Sequence, residues 1–228
     1  MNPNDAETHY NLGVALVSQG KVAEAIPVFQ EAIRINPNFA AAHINLGIAL
    51  YKQGKPAEAA IVLQKSIGID PNNAQAYSNL GIALYKQDKP VEAIAAYEKA
   101  TSLNPNDAKT YSNLGIALAS QGKLAEAITA YEHAIRINPN VADAHNNLGF
   151  ALGQQGKTAE AIAAYQNAIR LNSNHAQAYG NLGFALGQQG KTAEAIVNLK
   201  KARELFLVQG NTQQADTITQ FLKKVGFD

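Results

Sequence analysis

One phrase, Asn-Leu-Gly, returns every 34 residues: at Asn11-Leu12-Gly13, Asn45-Leu46-Gly47, Asn79-Leu80-Gly81, Asn113-Leu114-Gly115, Asn147-Leu148-Gly149 and Asn181-Leu182-Gly183. Nothing is inserted or lost between its six occurrences. A fixed period of this size predicts a stack of like supersecondary units, each burying its apolar face on its neighbours. Such a stack offers a long surface rather than an enclosed pocket, and that favours binding.

Numbered from 1 to 34, the repeats begin at Ala6, Ala40, Ala74, Ala108, Ala142 and Ala176 and occupy 6–39, 40–73, 74–107, 108–141, 142–175 and 176–209. Positions 1 to 14 predict a first helix, A. Its stripe is position 4 (His9, His43, Tyr77, Tyr111, His145, Tyr179) with Leu always at 7 and 11, the i, i+3, i+7 spacing of one helical face. Position 15 is Gly20, Gly54, Gly122, Gly156 and Gly190, with Asp88 in the third repeat, and reads as the left-handed residue that ends helix A. Helix B follows over positions 17 to 30. Glu at position 19 (Glu24 to Glu194) complements its N-terminal dipole, Pro56 and Pro90 suit its first turn, and Asn-Pro or Asp-Pro at 31 and 32 stops it. Small residues at position 8 (Gly), 10 (Ala) and 20 (Ala) let helices A and B approach closely. Pro27 falls inside the first helix B and predicts a kink.

These residues bring in a family. Aromatic or His at 4, Leu-Gly at 7 and 8, Ala at 20, aromatic at 24 (Phe29, Tyr97, Tyr131, Tyr165), Ala at 27 and Pro at 32 resemble the tetratricopeptide repeat, from residue 6 to about 209. The resemblance implies an all-α, right-handed superhelical solenoid forming a single domain over 1–228. Departures are Leu63 and Ser66 in repeat 2, Ser173 for Pro in repeat 5, and Leu199 with a prolonged last helix B ending at Gly210. Beyond it, about 211–226 predicts an amphipathic capping helix with a stripe of Ala215, Ile218, Leu222 and Val225. At the other end Asn2-Pro3-Asn4-Asp5 nearly duplicates the joint Asn104-Pro105-Asn106-Asp107. One reading is a fragment of a longer protein; the other is a natural protein whose first helix A is tolerated as an exposed edge. In either case the first repeat presents an edge on which a second copy can stack, giving a homodimer.

Positions 2, 5, 6, 9, 12 and 13 of helix A span the arc opposite the Leu stripe, which the resemblance implies lines a peptide-binding groove. Position 6 is Asn11, Asn45, Asn79, Asn113, Asn147 and Asn181. Position 9 is Val14, Ile48, Ile82, Ile116, Phe150 and Phe184. Positions 12 and 13 give Tyr51-Lys52 and Tyr85-Lys86, then Gly153-Gln154 and Gly187-Gln188. Six mid-helix Asn residues cost on the order of 4 kcal/mol in helix propensity, so something offsets them. A primary amide complements a peptide group. Adjacent A helices roughly 10 Å apart match about three residues of extended chain. A similar asparagine ladder serves the tetratricopeptide domain of O-linked N-acetylglucosamine transferases, which these repeats resemble. The rival account is structural: each Asn bonds to the neighbouring A helix.

The family's carboxylate clamp is not present as such, since position 5 reads Tyr10, Ile44, Ser78, Ser112, Asn146 and Gly180. Lys52, Lys86 and Lys109 leave room for an acidic ligand. His9, His43 and His145 share the core position of Tyr77, so no metal site is expected there. No phosphate loop, nucleophile–base pair or cofactor motif is present, and the expectation is a non-enzyme. Lys+Arg of 19 against Asp+Glu of 18 gives no electrostatic case for nucleic acid or an anionic membrane. No apolar run approaches the roughly 18 residues of a spanning helix, and a cytoplasmic setting is expected. The absence of Cys excludes disulfide and thiolate chemistry. The function expected is an interaction module for an extended peptide or partner helix. The alternatives are the substrate-recruiting region of a larger enzyme, such as a glycosyltransferase, or a self-assembling scaffold.

Overall fold

The computed structural model describes residues 5–227, and its regular structure is helical throughout. The twelve helices expected of six repeats are all present, with a thirteenth at the end. The described chain divides into two compact units between Gln121 and Gly122. The first holds α1 (Ala6–Ser18), α2 (Val22–Ile35), α3 (Ala40–Lys52), α4 (Pro56–Ile69), α5 (Ala74–Lys86), α6 (Pro90–Leu103) and α7 (Ala108–Ser120). The second holds α8 (Leu124–Ile137), α9 (Ala142–Gln154), α10 (Thr158–Leu171), α11 (Ala176–Gln188), α12 (Thr192–Val208) and α13 (Thr212–Lys224). Every helix A therefore covers positions 1 to 13. Every helix B covers 17 to 30, except the prolonged α12.

Three-residue reversals join A to B, and their geometry follows from position 15. Gly20, Gly54, Gly122, Gly156 and Gly190 have φ between +71° and +81°, and Asp88 reaches +59°. That left-handed step folds the chain so that the next N–H reaches back five residues: Lys21 to the Leu16 carbonyl at 2.9 Å, Lys89 to Leu84 at 3.1 Å, Lys157 to Leu152 at 3.0 Å. The orphan carbonyls of helix A are thereby satisfied. Helix B ends on a device unforeseen in the sequence reading. The position-31 side chain accepts the N–H two residues on, as in Asn38 to Asn36 (3.1 Å), Asn72 to Asp70 (3.2 Å) and Asn140 to Asn138 (3.1 Å). Asn172 makes the same turn at 3.0 Å without a following Pro, so Ser173 costs α10 nothing.

The core lies between A and B helices and depends on position 8. A Cβ built on Gly13 would sit 2.5 Å from the Phe29 ring, and one on Gly81 2.5 Å from Tyr97. Gly149 meets Tyr165 and Gly183 meets Leu199 at 2.7 Å each. Ala25, Ala59, Ala93, Ala127 and Ala161 are fully buried beside them. In repeat 2 the two departures pair off with their surroundings. Leu63 is buried against Gly47, and the buried Ser66 donates to the Ala40 carbonyl at 3.1 Å. Pro27 lies on the exposed face of α2, which runs through it as a single helix.

The capping helix forms as expected, with one correction. Ala215, Ile218 and Leu222 are buried against Ala176, Leu199, Ala202, Leu205 and Phe206. Val225, expected as the fourth member of that stripe, is instead the C-cap residue of α13 and is 43% exposed. The left-handed Gly226 (φ +81°) turns the chain there, and the Phe227 N–H closes on the Leu222 carbonyl. The joint expected at Asn2-Pro3-Asn4 lies outside the described residues. Asp5 caps α1, accepting the Thr8 N–H at 3.0 Å.

Candidate functional site

Within the first unit, α1, α3, α5 and α7 are successive neighbours, as are α9 and α11 in the second. Within each unit α1, α3, α5, α9 and α11 pack on α2, α4, α6, α10 and α12 in turn, and positions 6, 9, 12 and 13 lie on the helix face away from the Leu stripe. In the first unit Ile48, Ile82 and Ile116 are half-buried, Lys52 and Lys86 exposed, and Tyr85 36% exposed. Burial raises the pKa of the Tyr97 phenol, and the nearby Tyr51 and Tyr85 raise it further. Val14, Phe150 and Phe184 are 41%, 49% and 40% exposed.

The asparagine column is not uniform. Asn45 donates to the Tyr10 hydroxyl at 3.0 Å, and Asn181 donates to the Asn146 side-chain oxygen at the same distance. Both bonds cross from one A helix to the next, as the structural account requires. Asn181 also accepts from Gln177 at 3.2 Å, while Asn147 accepts from Asn146 at 3.4 Å. Asn79 instead turns back on its own helix, donating to the Gln75 carbonyl at 2.9 Å. Asn113 makes no side-chain hydrogen bond to any described residue, and Asn11 is exposed.

Where the cross-helix bond forms, position 5 of the preceding repeat supplies its oxygen. Tyr10 and Asn146 offer an oxygen; Ile44, opposite Asn79, offers none. Ser78, opposite Asn113, donates to the buried Thr110 hydroxyl at 2.6 Å, which itself donates to Asp107, and makes no hydrogen bond to Asn113. The signal was present in the sequence, in a column read only for clamp residues.

His43 and His145 pack as core side chains, each with its Nε2–H donating to a carbonyl of the preceding joint: Pro37 at 2.9 Å and Pro139 at 3.0 Å. Lys109 is exposed, and Asp143 meets His175 at 3.1 Å. No cluster of three or more metal-ligating side chains occurs among the described residues. No helix among them is long and apolar enough to cross a membrane.

A family model described as the cilia and flagella-associated protein 70 C-terminal domain, a tetratricopeptide domain, matches residues 3–220. The chain belongs to this tetratricopeptide-repeat family. Among solved structures it is similar to YrrB, described as a tetratricopeptide protein with an unusual peptide-binding site. The two are 25% identical over 78% of this chain and 91% of YrrB, with a TM-score of 0.67. It is 30% identical to MamA over 72% of this chain and 96% of that one, also at a TM-score of 0.67. PilF of Pseudomonas aeruginosa covers 97% of this chain at 22% identity and a TM-score of 0.71, a likeness of fold alone. No curated protein matches. Tetratricopeptide folds are in general non-catalytic, and these neighbours support a protein-interaction scaffold.

Proposed function

We propose that the first unit binds an extended peptide across the exposed faces of α3, α5 and α7. The reading rests on one observation: Asn79 and Asn113 carry amides that no neighbouring A helix engages, directly beside the half-buried Ile82 and Ile116. Their spacing on adjacent helices, roughly 10 Å, suits one backbone contact per three residues of extended chain. Ile82 and Ile116 then take side chains, and Tyr85 flanks them. Lys52, Lys86 and Lys109 give this face a preference for acidic residues in the ligand. YrrB, described as having a peptide-binding site, supports the class of ligand.

The test is a random dodecapeptide display library selected on the full chain. Asn79→Ala combined with Asn113→Ala is expected to weaken the selected peptides by roughly 1 to 3 kcal/mol, the cost of leaving polar partners unpaired. Ile82→Asp is expected to abolish their binding with helix content unchanged. Selected peptides that bind all variants as tightly as the parent would place the functional surface elsewhere.

A second reading, self-association at the N-terminal edge, has an observation of its own. α1 buries Ala6 and Gly13, whereas α3 buries seven residues from Ala42 to Leu50. Sedimentation at two protein concentrations decides it: an unchanged monomer coefficient rules it out.

A further inference from the structure

The proposal rests on the peptide-binding reading above and carries it to a pocket in the second unit. Position 12 is Tyr in repeats 2 and 3 and Gly in repeats 5 and 6, while position 9 changes from Ile to Phe. Where Gly153 takes the register of Tyr85, a cleft of about 350 Å³ opens between α9, α10 and α11. That volume is within the roughly 300–1,000 Å³ of small-ligand sites. The exposed Phe150 and Phe184 flank it, the buried Tyr165 lies beneath, and the half-buried Thr158 and exposed Gln188 line it as well. The Phe184 ring is braced from behind by Phe221 of α13, edge-on at 5.2 Å. A Cβ on Gly153 would meet the Tyr165 hydroxyl at 3.7 Å, so the glycine leaves open space directly over a buried phenol.

We infer that this cleft binds a tyrosine side chain of a partner polypeptide, in the place that Tyr85 takes within its own repeat. The chain itself supplies the argument for the occupant. A Cβ at position 12 of repeat 5 would stand 3.7 Å from the position-24 hydroxyl of Tyr165; repeat 3 carries Tyr85 and Tyr97 at these two positions, and in repeat 5 the same lower phenol is present without its companion. The Phe walls provide edge and face contacts for an aromatic ring. Thr158, Gln154, Gln188 and the Tyr165 hydroxyl offer donors and acceptors for a hydroxyl. Burial holds the Tyr165 pKa up at about 12, which keeps its proton in place. Charge narrows the choice further. Gln154 replaces the Lys86 of repeat 3, and no Asp, Glu, Lys or Arg lines the cleft, so neither a carboxylate nor a phosphate finds a counter-charge.

The test is a nuclear magnetic resonance titration of the ¹⁵N-labelled full chain with the acetylated, amidated pentapeptide Gly-Ser-Tyr-Ser-Gly and its Ala and phosphotyrosine counterparts. The Tyr peptide is expected to bind at least about tenfold more tightly than either, with shifts centred on Gly153, Phe184 and Gln188. Gly153→Tyr, which restores the residue of repeats 2 and 3, is expected to remove that binding. Gly153→Ala, whose Cβ makes only ordinary contacts, is expected to retain it. If Gly153→Tyr loses helix content, Phe184→Ala serves in its place and is expected to weaken the Tyr peptide by about tenfold. Equal binding of the Ala peptide, tighter binding of the phosphotyrosine peptide, or parent-like binding by both Gly153→Tyr and Phe184→Ala overturns the proposal. The two readings fail separately. Library peptides lost on Ile82→Asp but untouched by Gly153→Tyr and Phe184→Ala leave the first-unit face standing without this pocket. A Tyr peptide that binds here while library binding ignores Ile82→Asp does the reverse.

Discussion

An asparagine in mid-helix is about 0.6 kcal/mol less favourable than alanine, so each position-6 residue carries a cost that its surroundings either offset or leave. Asn181 offsets it by serving Asn146, which is 6% exposed and would otherwise lose its partner on α11. Asn181→Ala is therefore expected to destabilise the chain by roughly 1 to 2 kcal/mol in urea unfolding, the loss at Asn146 outweighing the propensity gain. Asn113 has no such partner, and Asn113→Ala is expected to stabilise by about 0.6 kcal/mol. Opposite signs at equivalent positions are what this difference in partners requires, and equal effects would refute it. Asp88 gives a second comparison in the left-handed column. At φ +59° it occupies a conformation that glycine takes freely, so Asp88→Gly is expected to raise stability by about 1 kcal/mol in the same assay. Tyr165 adds a pH effect. Its folded pKa of about 12 exceeds the ordinary 10.0, so the unfolded chain releases the phenolic proton first. Stability is full below pH 10 and falls as pH rises from about 10 to 12, which alkaline unfolding followed by circular dichroism will read.

At the scale of the helix pair, propensity and packing make contrary demands on glycine. Helix propensity alone predicts that any helical Gly→Ala change stabilises by about 1 kcal/mol. Gly153→Ala obeys it, because its Cβ lies 3.7 Å or more from its neighbours. Gly81→Ala does not, because the Tyr97 ring lies 2.5 Å from the new Cβ and is held in a buried core. Moving that ring costs about 1 to 3 kcal/mol, so packing wins and the variant is expected to melt lower than the parent. The bounds of these pairs were legible because each is marked by a residue suited to it: Gly or Asp at 15 for the left-handed turn, Glu at 19 for the helix dipole, and Pro at 32 for the stop. The asparagine partners were not legible from their own column, since a side chain's acceptor depends on a residue in the preceding repeat. The cleft at Gly153 was hidden for a related reason. The sequence marks the missing Tyr, but the space that it leaves depends on where Phe150, Phe184 and Tyr165 stand around it.

At the scale of the whole chain, a repeat array has no central core, so stability is a sum of repeat and nearest-neighbour terms. The described residues are 80% helical, and circular dichroism is expected to show a helical spectrum without a sheet component. The register of the period foretold this class, whereas Val225 escaped it, because a capping helix stands outside the repeat and has no sister positions to compare. The cap is also where an additive array is most open to test. Leu222 is fully buried, and with Ala215 and Ile218 it closes the face formed by Leu199, Leu205 and Phe206. Leu222→Ala removes its side chain from that face and is expected to cost roughly 2 to 5 kcal/mol locally. In a globular domain with one shared core that loss lowers the protection of every slow amide. In a repeat array it is felt most at α12 and α13, less at α9, and least at α1 to α3. Hydrogen exchange on the parent and on Leu222→Ala separates the two: a uniform loss of protection from α1 to α13 would show that the array unfolds as a single unit.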